Sequence, residues 1–316
     1  MKALLRNIIC ALDPFIALFA IPAGLLLKSI RYFGVQFLPR TRNALIKRGV
    51  FPIRAHYYEP LIEFNFKRAL SEERRLPGIS LNHDEQLQLL KHLRYGDELA
   101  HLLSQNPKAF DLNNPNFQSG DMEMWYNLVR YFKPKRLIEV GAGYSTLIAI
   151  EALKQNHQEN EHHKCKHICI EPFEMAWLEQ TTVEVVRKKV EEVELDFFSQ
   201  LEANDILFID SSHVIRPQGD VLFEYLEVLP TLKPGVVVHI HDIFTPRDYP
   251  EQWVVKELRF WNEQYVLEAF LTNNPDWKII AAVNYLKHKA FEQLKVACPL
   301  LTKEREPGSF YIQKVS

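Results

Sequence analysis

From about residue 122 onward, short apolar runs alternate with stretches of helical periodicity, and few folds accommodate that rhythm. Residues 136–140 (RLIEV) end at a glycine turn, and 146–153 follow with helical spacing. Residues 167–171 (HICIE) read as a second strand, 175–180 as a short helix and 183–190 as a third strand. Residues 205–210 (DILFID) and 236–241 (VVVHIH) are almost wholly apolar, as strands buried on both faces are. Between them Val221, Leu222, Tyr225, Leu226 and Leu229 form one stripe of a helix. The alternation predicts an α/β fold, a Rossmann-like and mostly parallel sheet with helices on both faces, preceded by a mainly helical N-terminal extension. In such sheets ligands sit beyond the carboxyl ends of the strands, where the strand order reverses. Chemistry is therefore to be sought in residues that end strands.

The first strand end is Glu139-Val140-Gly141-Ala142-Gly143-Tyr144-Ser145-Thr146. Two glycines one residue apart permit a tight turn and close approach of backbone to a ligand, with a helix N-terminus just behind. Thr146 stands where the dinucleotide fingerprint has its third glycine, which speaks against a nicotinamide-dependent oxidoreductase on the same sheet. Glu171 closes the next strand, where an acid suits hydrogen bonding to ribose hydroxyls, and Glu139 is placed to face the cationic part of a ligand. The second constellation joins Asp210-Ser211-Ser212-His213 with His241-Asp242, at the ends of two adjacent strands. Asp210, His241 and Asp242 suit a divalent cation that binds a substrate hydroxyl and lowers its pKa. His213, with an ordinary pKa of about 6.5, suits a general base. The alternative is structural: Asp210 and Asp242 cap helices and His213 bonds a loop.

These residues resemble the class I S-adenosylmethionine-dependent methyltransferases over about 122–316. E-V-G-A-G-Y-S-T looks like their first motif and I-E-P like their second-strand acid. F-I-D-S-S-H, L-P-x-L-K-P-G-V and H-D-I-F-x-P-x-x-Y-P-x-x-W look like a bacterial branch associated with O-methylation of glycans or sugars. The resemblance implies S-adenosyl-L-methionine as cofactor. Glu139, Gly141, Gly143 and Ser145 would cradle its methionine and ribose, Glu171 would take the ribose hydroxyls, and Glu191 or Glu192 would border the adenine. The macrolide-sugar O-methyltransferases look similar at D-x-x-H, with the histidine as base and two acids after the next strand as magnesium ligands. Here His241 replaces the first of those acids, which leaves magnesium, manganese, zinc or no metal open. The acceptor implied is a sugar, glycan or related small molecule. A non-catalytic module that binds the donor and is recruited to membrane is the rival reading.

Residues 244–253 are rich in aromatics and proline, and suit a lid or a sugar-stacking wall or, equally, a plain αβ connection; Trp261, Asn262 and Tyr265 read as a continuing helix within the core. His56-Tyr57-Tyr58 also resembles this branch, as a segment that folds over the acceptor site. His157, His162, His163, Cys165, His167 and Cys169 fall within thirteen residues. They read as a solvated loop and a core cysteine rather than a tetrahedral zinc site. Four cysteines in 316 residues exclude a disulfide scaffold, and a 47% hydrophobic, 25% charged composition excludes a disordered chain.

Charge is divided unevenly along the chain. Residues 1–54 hold nine basic side chains and one acid, Asp13, a net +8, so the remaining residues carry −10. Between the cations lies Pro14 to Leu27 (PFIALFAIPAGLLL), 14 residues against the roughly 20 of a membrane-spanning helix. Pro14, Pro22 and Gly24 are expected to bend or break a helix there. The favoured reading is a segment lying on or dipping into the cytoplasmic leaflet, held by anionic lipid; a hydrophobic arm packed on protein and a true membrane span are the alternatives. The expected organisation is a membrane-proximal segment over 1–54, a helical cap over 55–120 begun by Asn82 as an N-cap, and the catalytic domain over 121–316. The 104–120 stretch, rich in Asn, Pro, Ser and Gly, marks the last boundary. The balance of charge gives no sign of a nucleic-acid partner, a cytoplasmic location associated with the membrane is expected, and a homo-oligomer stays open.

Overall fold

The structure is a computed structural model that describes residues 2–56, 58–61, 63–105, 114 and 116–316. Tyr57 and most of the 104–120 connection lie outside the described residues. The chain divides into two compact units, Met1–Lys67 and Arg68–Ser316.

In the first unit α1 (Lys2–Phe33) is one helix of 32 residues that runs through Pro14 and Pro22. The expected break does not occur. Each proline removes one N–H from the ladder and leaves the hydrogen bonds on either side to carry the helix. A 3₁₀ turn at Val35–Phe37 leads to α2 (Pro39–Lys47). Arg31 holds Glu59 through two parallel bonds of 2.6 and 2.8 Å.

The second unit is built on a seven-stranded sheet in the order β3-β2-β1-β4-β5-β7-β6. Its strands are β1 (Arg136–Val140), β2 (Lys166–Ile170), β3 (Glu184–Val186), β4 (Ile206–Ile209), β5 (Val237–Ile240), β6 (Trp277–Ala282) and β7 (Phe310–Lys314). The first five are parallel; β7 enters antiparallel between β5 and β6. Register fixes the functional edge. Val140 pairs with Ile170 and Ile209, and Ile209 with Ile240, so these four stand level across the sheet. Gly141, Glu171, Asp210 and His241 therefore follow at one rim, on either side of the reversal between β1 and β4.

Helices cover both faces. On one lie α3 (His83–His92), α4 (Gly96–Gln105), α5 (Asp121–Phe132) and α6 (Tyr144–Glu159), around Trp125, Tyr126, Phe208 and Tyr311. On the other lie a helix over 220–231 and the helix Glu263–Leu271, around Phe198, Tyr225 and Phe310. Helices α3 and α4 pack within the second unit. Asn82 does not cap α3: its φ is 49° and its side chain donates to the Ile279 carbonyl at 3.3 Å. Asp121 on α5 accepts backbone N–H groups of Gly308 and Ser309, each at 2.8 Å, and so ties the loop before β7 to the rim.

Candidate active site

A cavity of about 850 Å³ opens at that rim. One wall is the turn Ala142–Ser145; the facing wall is Asp210–His213 with His241 and Asp242. The two glycines of the turn serve different ends. Gly141 has φ 88°, and a Cβ on it would lie 2.5 Å from the Asp210 carbonyl oxygen, so backbone conformation and packing both demand glycine. A Cβ on Gly143 would meet nothing within 4 Å, although the residue lines the cavity: its missing side chain leaves room for a ligand. Thr146, in place of a third glycine, accepts the Gly143 N–H at 3.2 Å from the first turn of α6.

The acids expected around the donor are distributed differently. Glu139 is fully buried and lies off the cavity wall, with its carboxylate 2.5 Å from His167 Nε2 and bonded by Ser145 Oγ at 3.0 Å. It holds the turn from beneath through Ser145. Glu171 folds back on the same turn and accepts from the Ala142 and Phe173 N–H groups at 3.3 and 2.9 Å. Glu191 lies on the turn Val190–Glu192, beside a separate, more open cavity of about 560 Å³ with Glu192, Asp196 and Glu227. Of the possible zinc ligands, His167 and Cys169 converge on Glu139, while His157 turns its ring to the His163 carbonyl at 3.1 Å.

Across the cavity the side chains converge. His213 Nε2 is 3.2 Å from Asp210 Oδ1 and 3.7 Å from Asp242 Oδ2. His241 Nδ1 is 3.8 Å from Asp210 and 3.5 Å from Asp242. Asp210, His241 and Asp242 each offer a ligand atom within 4.8 Å of the others, and both ring nitrogens of His241 are buried without a hydrogen-bond partner. This donor set, two carboxylates and an imidazole with an open face, fits a divalent cation. Neither aspartate caps a helix.

Charges follow from this crowding. Burial alone would raise the Asp210 carboxyl, but the His213 and His241 imidazoles beside it hold it well below the usual range. Burial alone would lower His213, yet Asp210 and Glu263 push it well above 6.5. His241 is raised to about 9, burial being outweighed by Asp242 and Asp210. Burial pushes the Asp242 carboxyl upward, against the pull of both histidines.

Glu263 has no warning in the sequence, where it looks like an ordinary acid in the first turn of a helix. It is fully buried, lies 2.7 Å from His213 Nδ1 and accepts the Tyr225 hydroxyl at 3.0 Å. A wide turn at Glu224–Val228 within the 220–231 helix directs both Glu224 and Tyr225 inward. Trp261 stands on the cavity wall rather than in the core, its ring centroid 4.3 Å from that of His213. The Arg259 guanidinium lies over both Trp253 and Trp261, 4.5 and 4.6 Å from their ring centroids, and the two indoles meet edge to face at 5.2 Å. Of the expected lid, Phe244 and Trp253 reach the cavity.

Residues 138–243 match the family model described as a methyltransferase domain. An uncharacterized protein of Archaeoglobus fulgidus is 27% identical over 176 residues, half of this chain and 76% of that protein. Solved structures of similar outline include an O-methyltransferase from Bacillus cereus in complex with SAH, at 16% identity and TM-score 0.38, covering 70% of this chain and 91% of that one. Another is the O-methyltransferase TomG from Streptomyces achromogenes, involved in tomaymycin synthesis and in complex with SAM, at 14% identity and TM-score 0.40, covering 72% and 99%. The match spans β1 to the residues just beyond β5, with the glycine turn seated at the reversal of strand order, so residues 138–243 are a methyltransferase domain.

Proposed function

We propose that the protein transfers a methyl group from S-adenosylmethionine to a hydroxyl of a sugar, glycan or related small molecule, and that residues 1–54 attach it to a membrane. The observation that carries this reading is the meeting of Asp210, His213, His241 and Asp242 on one wall of a cavity whose other wall is the glycine turn. The turn Gly141–Ser145, braced from below by Glu139 and Glu171, would hold the donor, whose sulfonium methyl is the electrophile. In its neutral form His213 would take the acceptor's proton at Nε2, the nitrogen that faces Asp210, while Glu263 occupies Nδ1. Asp210, His241 and Asp242 would hold a divalent cation, magnesium or manganese, which when bound lowers the pKa of a coordinated hydroxyl. Trp253 and Trp261 offer flat apolar faces to a sugar ring.

Calorimetric titration with S-adenosylhomocysteine tests the donor site. Micromolar binding, weakened in Glu171→Ala, supports the reading; no binding by the folded chain removes it. His213→Ala is expected to abolish turnover and to leave donor affinity unchanged. Activity indifferent to EDTA and to Asp210→Asn would remove the cation from the scheme.

A further inference from the structure

We propose that α1 crosses the bilayer rather than lying on it, with the methyltransferase unit on the cytoplasmic side; this deepens the membrane attachment given above and rests on it. An in-plane helix needs a polar face to stay in the headgroups. Residues 14–27 carry no charged, amide or hydroxyl side chain on any face. None of the side chains from Leu5 to Leu26 is buried in the protein, so the helix presents large apolar groups such as Phe15, Leu18, Phe19, Ile21 and Leu25 on its surface. Only a solvent that is apolar on all sides satisfies such a surface.

Length agrees. The unbroken helix extends the apolar stretch backward past the prolines, and the 20 residues 8–27 rise about 30 Å, the thickness of the hydrocarbon layer. Asp13 is the one charge within that span and lies about 7.5 Å from its N-terminal boundary, away from the midplane where a carboxylate costs most. Tyr32 and Phe33, both exposed, close the helix where interfacial aromatics are favoured.

Charge sets the direction. Lys2 and Arg6 precede the span, whereas Lys28, Arg31, Arg40, Arg42, Lys47 and Arg48 follow it, with no acid before Glu59. The excess of cations belongs on the cytoplasmic side, beside the anionic leaflet, which places the N-terminus outside.

The test uses the full chain, expressed in a bacterial host with a different epitope tag at each end. The expected result is retention in membranes through an alkaline carbonate wash, with the N-terminal tag digested by protease added to spheroplasts and the C-terminal tag protected. Phe19→Lys is expected to release the chain, and replacing Arg40, Arg42, Lys47 and Arg48 by Gln to mix the two orientations. Extraction by carbonate with both tags protected would overturn the proposal in favour of a surface helix. Absence of the N-terminal tag from the mature chain would overturn it in favour of a removed leader, and recovery in the soluble fraction in favour of an arm packed on protein. Binding of S-adenosylhomocysteine by the detergent-solubilised chain is measured alongside, so that failure of the anchor and failure of the methyltransferase reading are separable.

Discussion

The pair Gly141 and Gly143 separates what a fold requires from what a ligand requires. At Gly141 a methyl group would meet the Asp210 carbonyl oxygen at 2.5 Å on a backbone with φ 88°. Gly141→Ala is therefore expected to lower stability by about 1–3 kcal/mol, read as a shift in the urea midpoint. At Gly143 the methyl would stand in open cavity. Gly143→Ala is expected to keep the midpoint of the parent while losing donor affinity tenfold or more in the same titration. Loss of stability in both variants, with equal loss of binding, would sink the distinction.

At the scale of elements, the loop and turn over 244–261 build an aromatic wall, with Arg259 lying over both Trp253 and Trp261. Removing either indole takes away contact area beside His213 without touching the glycine turn. Trp253→Ala and Trp261→Ala are expected to raise the acceptor KM several-fold and to leave donor affinity alone; a rise in donor Kd would show that the wall belongs to the donor. The strands β1 and β2, and the turn between β1 and α6, were legible because apolar runs of five residues ending in glycine or acid have few other uses. The pair β6 and β7 was not. Two helices separate β6 from β7, and β7 takes its place by pairing antiparallel with β5, 70 or more residues away in sequence.

For the whole molecule, two histidines on β5 and at its end give stability opposite slopes with pH. His239 is buried among Trp125, Phe208 and Tyr311, and burial lowers its pKa well below 6.5. The unfolded chain binds that proton more readily, so stability falls as pH drops below 6.5. His241, raised to about 9, contributes stability that is complete below 6.5 and lost as pH rises toward 9. Thermal melts in EDTA are expected to peak between these limbs, His241→Asn flattening the alkaline one and His239→Gln the acid one; an unchanged profile in His241→Asn would refute the assignment. A chain begun at Arg68 is expected to fold and bind S-adenosylhomocysteine as the full protein does, because the compact unit starts there. Failure of that chain to melt cooperatively would show that the first unit is needed for folding.

Alternation of apolar runs and helical stripes determined the α/β sheet, and the residues that end its strands could be named from sequence alone, since chain direction and strand ends are local properties. So could the apolar, basic character of residues 1–54. What each strand-end side chain touches is not local. Glu139 and Glu171 brace the turn because His167 and the Ala142 N–H lie within reach once β1 and β2 pair in register. Glu263, fifty residues from His213, becomes its partner only when the helix Glu263–Leu271 packs on the sheet. The continuity of α1 through two prolines was likewise decided by cooperation along 32 residues, which the propensity of any one of them does not express.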